Sequence, residues 1–204
     1  MNESSFFSVI RYRRSVREYD PRPIEDWKLQ IVLEAARLAP SSTNSQPWRL
    51  IVVKDAGLRA ELAVATPQGI RKHPWMNQSP VVIVLCALPS FDQRFGQLIG
   101  KDYHLVDMGI VGTHLVLMAA ELGLGTCWVG WVHKKRVKKM LNIPKLWEVV
   151  CLISLGYPKN PDEPDMKEKF TSVEPLQEAG EKGIGGIDAK DRKPTEEIIF
   201  YDKV

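Results

Sequence analysis

Hydrophobic and polar positions along the chain follow two spacings, one helical and one extended. The stretch "DYHLVDMGIVGTHLVLMAAELGLG", residues 102–125, is apolar around much of its circumference and ends at glycines, which predicts a long core helix. The stretch "SPVVIVLCAL", residues 79–88, is almost continuously apolar between turn residues, which indicates a central strand covered on both faces. Two similar runs, at residues 49–55 and 147–158, predict further strands.

Shorter helices are predicted between these strands. The segment from Phe6 to Arg17 begins as an amphipathic helix and ends before the prolines of "YDPRP". Residues 25–40 have an acidic first turn and a proline stop, both of which favour a helix. Two more helical patterns cover residues 56–66 and 134–144.

The composition changes after Pro158. Residues 159–189 are rich in glycine, proline and charge, which is typical of a loop excursion. An extended pattern resumes in "TEEIIFYDKV", residues 195–204, and a strand after so long an excursion often pairs with a distant partner such as another subunit. The irregular order of helices and strands predicts a single α+β domain over residues 1–204.

Composition and motifs exclude several functional classes. Hydrophobic residues make up 44% of the 204 residues, and 28 Lys+Arg nearly balance 25 Asp+Glu, so a general polyanion-binding role has little support. No G-x-G-x-x-G follows a strand and no GxxxxGK[ST] occurs, which argues against Rossmann and P-loop sites. The 3 cysteines lack CxxC spacing, and the 4 histidines are scattered, which argues against disulfides and a metal site. The longest apolar run is far below the ~18 residues of a membrane span, and we expect a reduced, cytoplasmic protein.

Four arginines crowd the stretch "RYRRSVREYD" near the start of the chain. Arg13 and Arg17 are four apart and share one face if the helix persists, and with Ser15 they suit a phosphate monoester. The plainer interpretation is a solvated arginine face, which is favoured for this cluster taken alone. A second basic group lies in "AKDRKP" before the C-terminal strand and comprises Lys190, Arg192 and Lys193. Because like charges repel, the two basic groups would lie close together only with an anion between them.

Two uncharged segments could contact a ligand. The loop "APSSTNSQPW", residues 39–48, offers many donors and acceptors; the alternative, a long capping and turn segment, is equally supported. In "GLGTCWVGW", residues 123–131, glycines would let backbone N–H groups approach a ligand, and Trp128 and Trp131 could form walls of a flat pocket. A helix C-cap that leads into a core strand is the better interpretation of this segment by itself.

Taken together and in order, these stretches resemble the nitroreductase family of flavin enzymes. The resemblance rests on "RRSVREYDPRPI", "AARLAPSSTNSQPWRLIVV", "LVLMAAELGLGTCWVGW", "ISLGYP" and "RKPTEEIIFYD". It covers Phe6 to Asp202 apart from the loop between Pro158 and Lys190. It implies a mainly antiparallel sheet flanked by helices, a C-terminal strand that extends to a partner subunit, and a homodimer with FMN at the subunit interface.

The resemblance also implies a role for individual residues. The FMN phosphate would be held by Arg13 and Ser15, with a backbone contact from Arg14 and with the late basic residues Lys190 and Arg192. Arg17 would reach the pyrimidine end of the flavin, where a guanidinium stabilises the charge of the reduced ring. The remaining expected FMN contacts are Pro40, Ser41, Ser42 and Asn44 from the partner subunit, Trp128, Val129 and Gly130 beside the ring, and Gln68 at the ribityl chain.

The resemblance implies an FMN-dependent oxidoreductase. A hydride would pass from NAD(P)H to flavin N5, and a small electrophile such as a nitroaromatic or quinone would then take the electrons in a ping-pong cycle. No protein residue is expected to act as an acid, base or nucleophile. The alternatives are a reductive dehalogenase or flavin-degrading enzyme of the same fold, and a flavin-binding or regulatory protein without NAD(P)H turnover.

Two further features stay open at the level of the sequence. Cys127 lies in the segment expected to face the flavin, yet no base partner that would activate it can be named. The stretch "HKKRVKKM", residues 133–140, carries five cationic residues. A solvated face is the favoured interpretation, and attraction of an anionic cosubstrate such as NADPH is the alternative.

Overall fold

The computed structural model describes residues 5–65, 73–88, 102–160 and 192–204. The helices of these parts are α1 (Ser5–Tyr12), α2 (Asp26–Arg37), α3 (Ala56–Ala63), α4 (Tyr103–Glu121), α5 (Lys134–Met140) and α6 (Thr195–Ile198). The strands are β1 (Trp48–Val53), β2 (Val81–Ala87), β3 (Gly125–Val129), β4 (Glu148–Gly156) and β5 (Ile199–Tyr201). Two short 3₁₀ turns, Ser42–Asn44 and Pro74–Gln78, complete the described elements.

The strands form one five-stranded sheet in the order β3-β4-β2-β1-β5. Neighbouring strands are antiparallel, except that β5 runs parallel to β1. This confirms the predicted α+β class with a mainly antiparallel sheet. In the single chain β5 pairs with the chain's own β1, so the expected extension of this strand to a partner subunit stays a prediction.

The sheet is covered by helices on both faces, which explains its apolar strands. All seven residues of β2 and all six of β1 are buried, as predicted for strands without a solvent face. One face packs against α2 and α4 around residues such as Leu33, Leu85 and Leu115. The other face packs against α3 and α5 around residues such as Leu62, Val84 and Val137.

The helix α4 is the core helix that the sequence predicts. Its length and apolar composition would also suit a membrane span, but a buried core helix has the same properties. Residues Met108, Val111 and Leu115 are fully buried against the sheet and α2. One charged residue, Asp107, is also buried within this helix.

Two predicted elements differ from the structure. The N-terminal helix was expected to reach Arg17 but ends at Tyr12, because the following backbone hydrogen-bonds to β3: the N–H of Val16 donates to the carbonyl of Thr126 over 2.9 Å. The C-terminal stretch was expected to be wholly extended, but a short helical turn, α6, precedes β5. The condition for Arg13 and Arg17 to share a helix face, a helix that reaches Arg17, is therefore not met.

Candidate functional site

The arginine-rich segment lies along the free edge of β3. Ser15 forms a parallel bridge with Thr126, and the side chain of Val16 is buried against Gly125. Side chains alternate in an extended segment, so Ser15 and Arg17 point away from the side that Val16 buries. Both are exposed. Extended alternation, rather than a helix face, therefore places the basic and hydroxyl groups together.

Ser15 and Arg17 both lie near the thiol of Cys127 in β3. Burial raises the pKa of Cys127, while the charge of Arg17 and a hydrogen bond with Ser15 oppose that rise. Tyr19 anchors the end of the segment: its hydroxyl donates to the carbonyl of Val16 over 2.9 Å and lies 2.6 Å from the hydroxyl of Ser154. The segment is therefore held to the sheet at both ends.

The end of β3 is open to a ligand. A Cβ added at Gly130 would meet no atom within 4 Å, so there is free space beside its backbone. Trp128 is 37% exposed, and its indole lies directly over Gly112 of α4, where an added Cβ would be only 2.1 Å from the ring. Trp128 and Gly130 thus border an open surface next to Ser15 and Arg17, as a planar ligand would require.

The polar loop before β1 has a strained and well-supported backbone. Thr43, Asn44 and Gln46 all have positive φ angles, of 52°, 53° and 47°, which is costly for residues other than glycine. The hydroxyl of Ser41 accepts from the N–H of Gln46 over 2.9 Å, and the N–H of Ser42 donates to the carboxylate of Asp107 over 2.9 Å. Such strain persists only where surrounding contacts fix the loop.

Gln46 links most of these contacts, and sequence reasoning did not single it out. Its side chain donates to the carbonyl and side-chain oxygens of Asn44, both over 3.2 Å, and accepts from the N–H of Lys193 over 2.6 Å. Asp107, the other residue that was missed, stands out in the sequence as the lone acid within "HLVDMGIV". That isolation in an apolar helix was the signal that could have identified it.

The late basic residues contact this loop. Arg192 donates to Asn44 over 2.6 Å and to the carbonyl of Leu38 over 3.1 Å, and the ammonium of Lys193 donates to the carbonyl of Ser45 over 2.8 Å. Burial, and next the nearby charge of Arg49, lower the pKa of Lys193. Three cations are therefore gathered at the loop: Arg192 and Lys193 belong to the second basic group of the sequence, and Arg49 was not considered there.

The structure thus divides the expected site residues between two regions. The N-terminal half-site contains Ser15 and Arg17 beside β3 and Arg13 just after α1. The loop half-site contains Ser41, Ser42, Asn44 and Arg192 before β1. Gln68 and Lys190 lie outside the described residues. Arg14 donates to the carbonyl of Asn160 over 3.1 Å, and Pro40 is exposed. Among the described residues, no group of His, Cys, Asp or Glu could hold a metal ion.

The two half-sites lie at opposite corners of the sheet. Thr126 pairs with Leu155, near the end of β4, whereas Trp48 is at the level of Glu148, where β4 begins. With strands about 4.8 Å apart and residues about 3.3 Å apart along a strand, these corners are roughly 25 Å from each other. The sheet positions that adjoin the two half-sites are therefore well separated within one chain.

The fold agrees with comparisons to known proteins. The model of the nitroreductase family matches residues 10–157, so the chain belongs to the nitroreductase family. This places it among oxidoreductases. A protein of Archaeoglobus fulgidus, provisionally named NADH dehydrogenase/NAD(P)H nitroreductase, is 34% identical over 164 residues, which cover 78% of this chain and 88% of that protein.

Other relatives show the range of the family. A 5,6-dimethylbenzimidazole synthase of Rhodobacter capsulatus is 28% identical and covers 76% of this chain and 84% of its own length. A nitroreductase family protein of Clostridium novyi has a similar solved structure, with a TM-score of 0.74, 29% identity and coverage of 97% and 93% of the two chains. An FMN-dependent nitroreductase of Clostridium difficile has a TM-score of 0.64 and 29% identity, and covers 82% of this chain and 93% of its own.

Proposed function

We propose that this chain is an FMN-dependent NAD(P)H oxidoreductase that reduces a small electrophile such as a nitroaromatic or a quinone by a ping-pong cycle. The observation that supports this most strongly is the open surface beside Gly130, bordered by Trp128 and flanked by Ser15 and Arg17. The relatives named NAD(P)H nitroreductase and FMN-dependent nitroreductase agree with it. FMN, when bound, would supply the hydride chemistry.

The residues of the chain would bind and orient the flavin. Arg13 and Ser15 would hold the phosphate through charge-assisted hydrogen bonds, with Arg14 adding a backbone contact. Arg17 would place a fixed positive charge near the pyrimidine edge, where it favours the reduced state. The indole of Trp128 and the backbone of Val129 and Gly130 would line the ring.

A complete site would require two copies of the chain. The N-terminal half-site and the loop half-site are both expected at the same flavin, yet the sheet positions that adjoin them, Thr126 and Trp48, are roughly 25 Å apart within one chain by strand geometry. A two-fold dimer would bring the N-terminal half-site of each copy against the loop half-site of the other, and so create two equal sites. We therefore propose a homodimer with FMN at the interface.

An apolar surface of the right kind supports the dimer. Phe6, Phe7 and Ile10 of α1 are 61%, 54% and 48% exposed. Tyr103 and Val106 of α4 are 55% and 61% exposed, and α1 packs against α4. Contiguous exposed apolar side chains mark an interaction surface, and a second copy would cover it.

The thiols are consistent with a reducing, cytoplasmic location. All three cysteines are free and buried, and burial raises the pKa of Cys86 and of Cys151 to about 12. Thiols in such surroundings serve as core residues rather than as disulfide partners.

The test uses three single arginine substitutions. FMN affinity is measured by titrating the flavin-free protein with FMN. Arg13→Ala should lower this affinity about tenfold, which corresponds to one lost charge-assisted hydrogen bond. Arg17→Ala should lower the affinity and also shift the flavin reduction potential downward, because the reduced anion loses its nearest cation. Arg11→Ala, two residues from Arg13 on the exposed side of α1, is the matched control and should leave both quantities unchanged.

Stopped-flow reduction by NADH and NADPH separates this function from its alternatives. A protein that binds FMN but is not reduced at useful rates would be a flavin-binding or regulatory protein. Consumption of the flavin itself during aerobic turnover would favour a flavin-degrading enzyme. A colourless protein that cannot be reconstituted with FMN would contradict the proposal.

A further inference from the structure

The helix α5 has a charge distribution that does not favour its own stability. Its sequence, KKRVKKM, contains no acidic residue, and its first turn carries Lys134, Lys135 and Arg136. The N-terminal end of a helix is the positive end of its dipole, so cations there are unfavourable. Stabilising substitutions at this turn would be Asp or Glu, so three cations in this position point to a function in binding.

Within the described residues, the side chains of two cations of this helix have a partner and the other three form no ion pair. Lys134 forms an ion pair with Glu148 over 3.1 Å, and Lys138 donates to the carbonyl of Lys145 over 3.0 Å. No ion pair within the described parts of the chain involves the remaining three, all of which are exposed: Lys135, Arg136 and Lys139.

These three side chains lie on one surface of the helix. Lys139 is four residues from Lys135 and three from Arg136, and both spacings place side chains next to each other. Like charges at these spacings repel, so a compact anion between them would relieve the repulsion. The net charge of the chain is only +3, which favours one small anion over a long polyanion.

The position of α5 connects this surface with the proposed flavin site. Lys134 comes four residues after Gly130, so their Cα atoms are at most about 14 Å apart. The intervening turn is fixed, because the N–H of His133 donates to the carbonyl of Ala65 over 2.8 Å. Trp131 in this turn is 59% exposed and offers an aromatic face between the two regions.

We propose that Lys135, Arg136 and Lys139 bind the 2′-phosphate of NADPH and give the enzyme a preference for NADPH over NADH. This inference rests on the proposed function. The 2′-phosphate is a monoester with a charge of about −1.5 to −2 at neutral pH, and it lies at the end of the dinucleotide opposite the nicotinamide. A nicotinamide placed beside Gly130 would leave the phosphate free to reach the cations of α5, with the exposed ring of Trp131 between them.

Titration of the flavin-loaded protein with adenosine 2′,5′-bisphosphate and with adenosine 5′-monophosphate tests the binding directly. The bisphosphate should bind at least tenfold more tightly, and the difference should shrink as salt is raised. The triple variant K135Q/R136Q/K139Q should lose this difference. In steady-state kinetics the same variant should raise KM for NADPH about tenfold and leave KM for NADH within twofold.

A matched single substitution controls for net charge. Lys135→Gln and Lys54→Gln each remove one exposed lysine charge, and the ammonium of Lys54 is already bound to Asp26. Only Lys135→Gln should weaken the binding of adenosine 2′,5′-bisphosphate. The thermal midpoint of the triple variant should be equal to or above that of the wild type, because the helix loses repulsive charges. Weaker binding by this variant would therefore not result from loss of folding.

The inference would be overturned by equal binding of the two nucleotides, or by equal losses in the Lys135 and Lys54 variants. It would also be overturned by a wild-type preference for NADH. Failure of the proposed function gives a different result: the protein would bind the bisphosphate through α5 and yet oxidise neither dinucleotide.

Discussion

The substitution Gly125→Ala probes the contact that positions the N-terminal half-site. An added Cβ would lie 2.6 Å from Cγ2 of Val16 and 3.1 Å from the ring of Pro158, whereas carbon atoms pack at about 3.5–4.0 Å. The segment around Val16 must therefore move by roughly 1 Å. Overpacking of this kind costs about 1–3 kcal/mol, and loss of the hydrogen bond from Val16 to Thr126 would add about 1 kcal/mol.

Urea unfolding of the flavin-free protein should therefore show Gly125→Ala to be less stable by about 2–4 kcal/mol. FMN affinity should fall with it, because Ser15 and Arg17 would be displaced from β3. Gly130→Ala, just beyond the other end of the same strand, is the control: its Cβ would meet nothing within 4 Å, so it should change stability by no more than about 0.5 kcal/mol. Adding Val16→Ala to Gly125→Ala should cost less than the sum of the two single changes. Equal stability of the Gly125 and Gly130 variants would refute the proposed packing.

Three other predictions concern buried or hydrogen-bonded groups. Asp107→Ala should destabilise the protein by about 1–3 kcal/mol, because the N–H of Ser42 loses its acceptor, whereas Asp107→Asn keeps an oxygen there and should cost less in the same unfolding assay. Burial tends to raise the pKa of Glu25, but hydrogen bonding from Tyr157 and nearby cations lower it below the ordinary 4.5. The stability of the protein should therefore fall as pH drops below that value. In acid titrations followed by fluorescence, Tyr157→Phe should make this fall shallower. A thiol reagent at pH 8 should label no cysteine of the folded protein. After unfolding in urea it should label Cys86, Cys127 and Cys151. Rapid labelling of the native state would contradict the burial of these thiols.

The sheet could be predicted from the sequence because its strands are buried on both faces. A continuous apolar run such as that of β2 indicates a strand that is buried on both faces of a sheet. The long apolar pattern of α4 indicates a core helix equally clearly. The end of α1 could not be predicted, because Val16 leaves the helix to pair with Thr126, more than a hundred residues away. Local propensity contains no information about such a partner.

The candidate site was predictable in its residue types and not in its arrangement. Arg13, Ser15 and Arg17 were grouped by a helical spacing, but the structure groups Ser15 and Arg17 by their common position beside Cys127. The roles of Gln46 and Asp107 depend on hydrogen bonds to the loop, which only the folded chain brings together. The separation of the half-sites depends on strand order, which the motifs do not encode.

Complementation between two defective copies tests most directly whether each flavin site combines two chains. One variant would lose the N-terminal half-site through Arg13→Ala and Arg17→Ala, and the other would lose the loop half-site through Ser42→Ala and Asn44→Ala. Each variant alone should retain little FMN. After the two are unfolded and refolded together at equal amounts, half of the dimers should be mixed, and each mixed dimer should contain one intact site, so that flavin content recovers to about one quarter of the wild type. Flavin content that stays at the level of the separate variants would contradict a site shared between subunits.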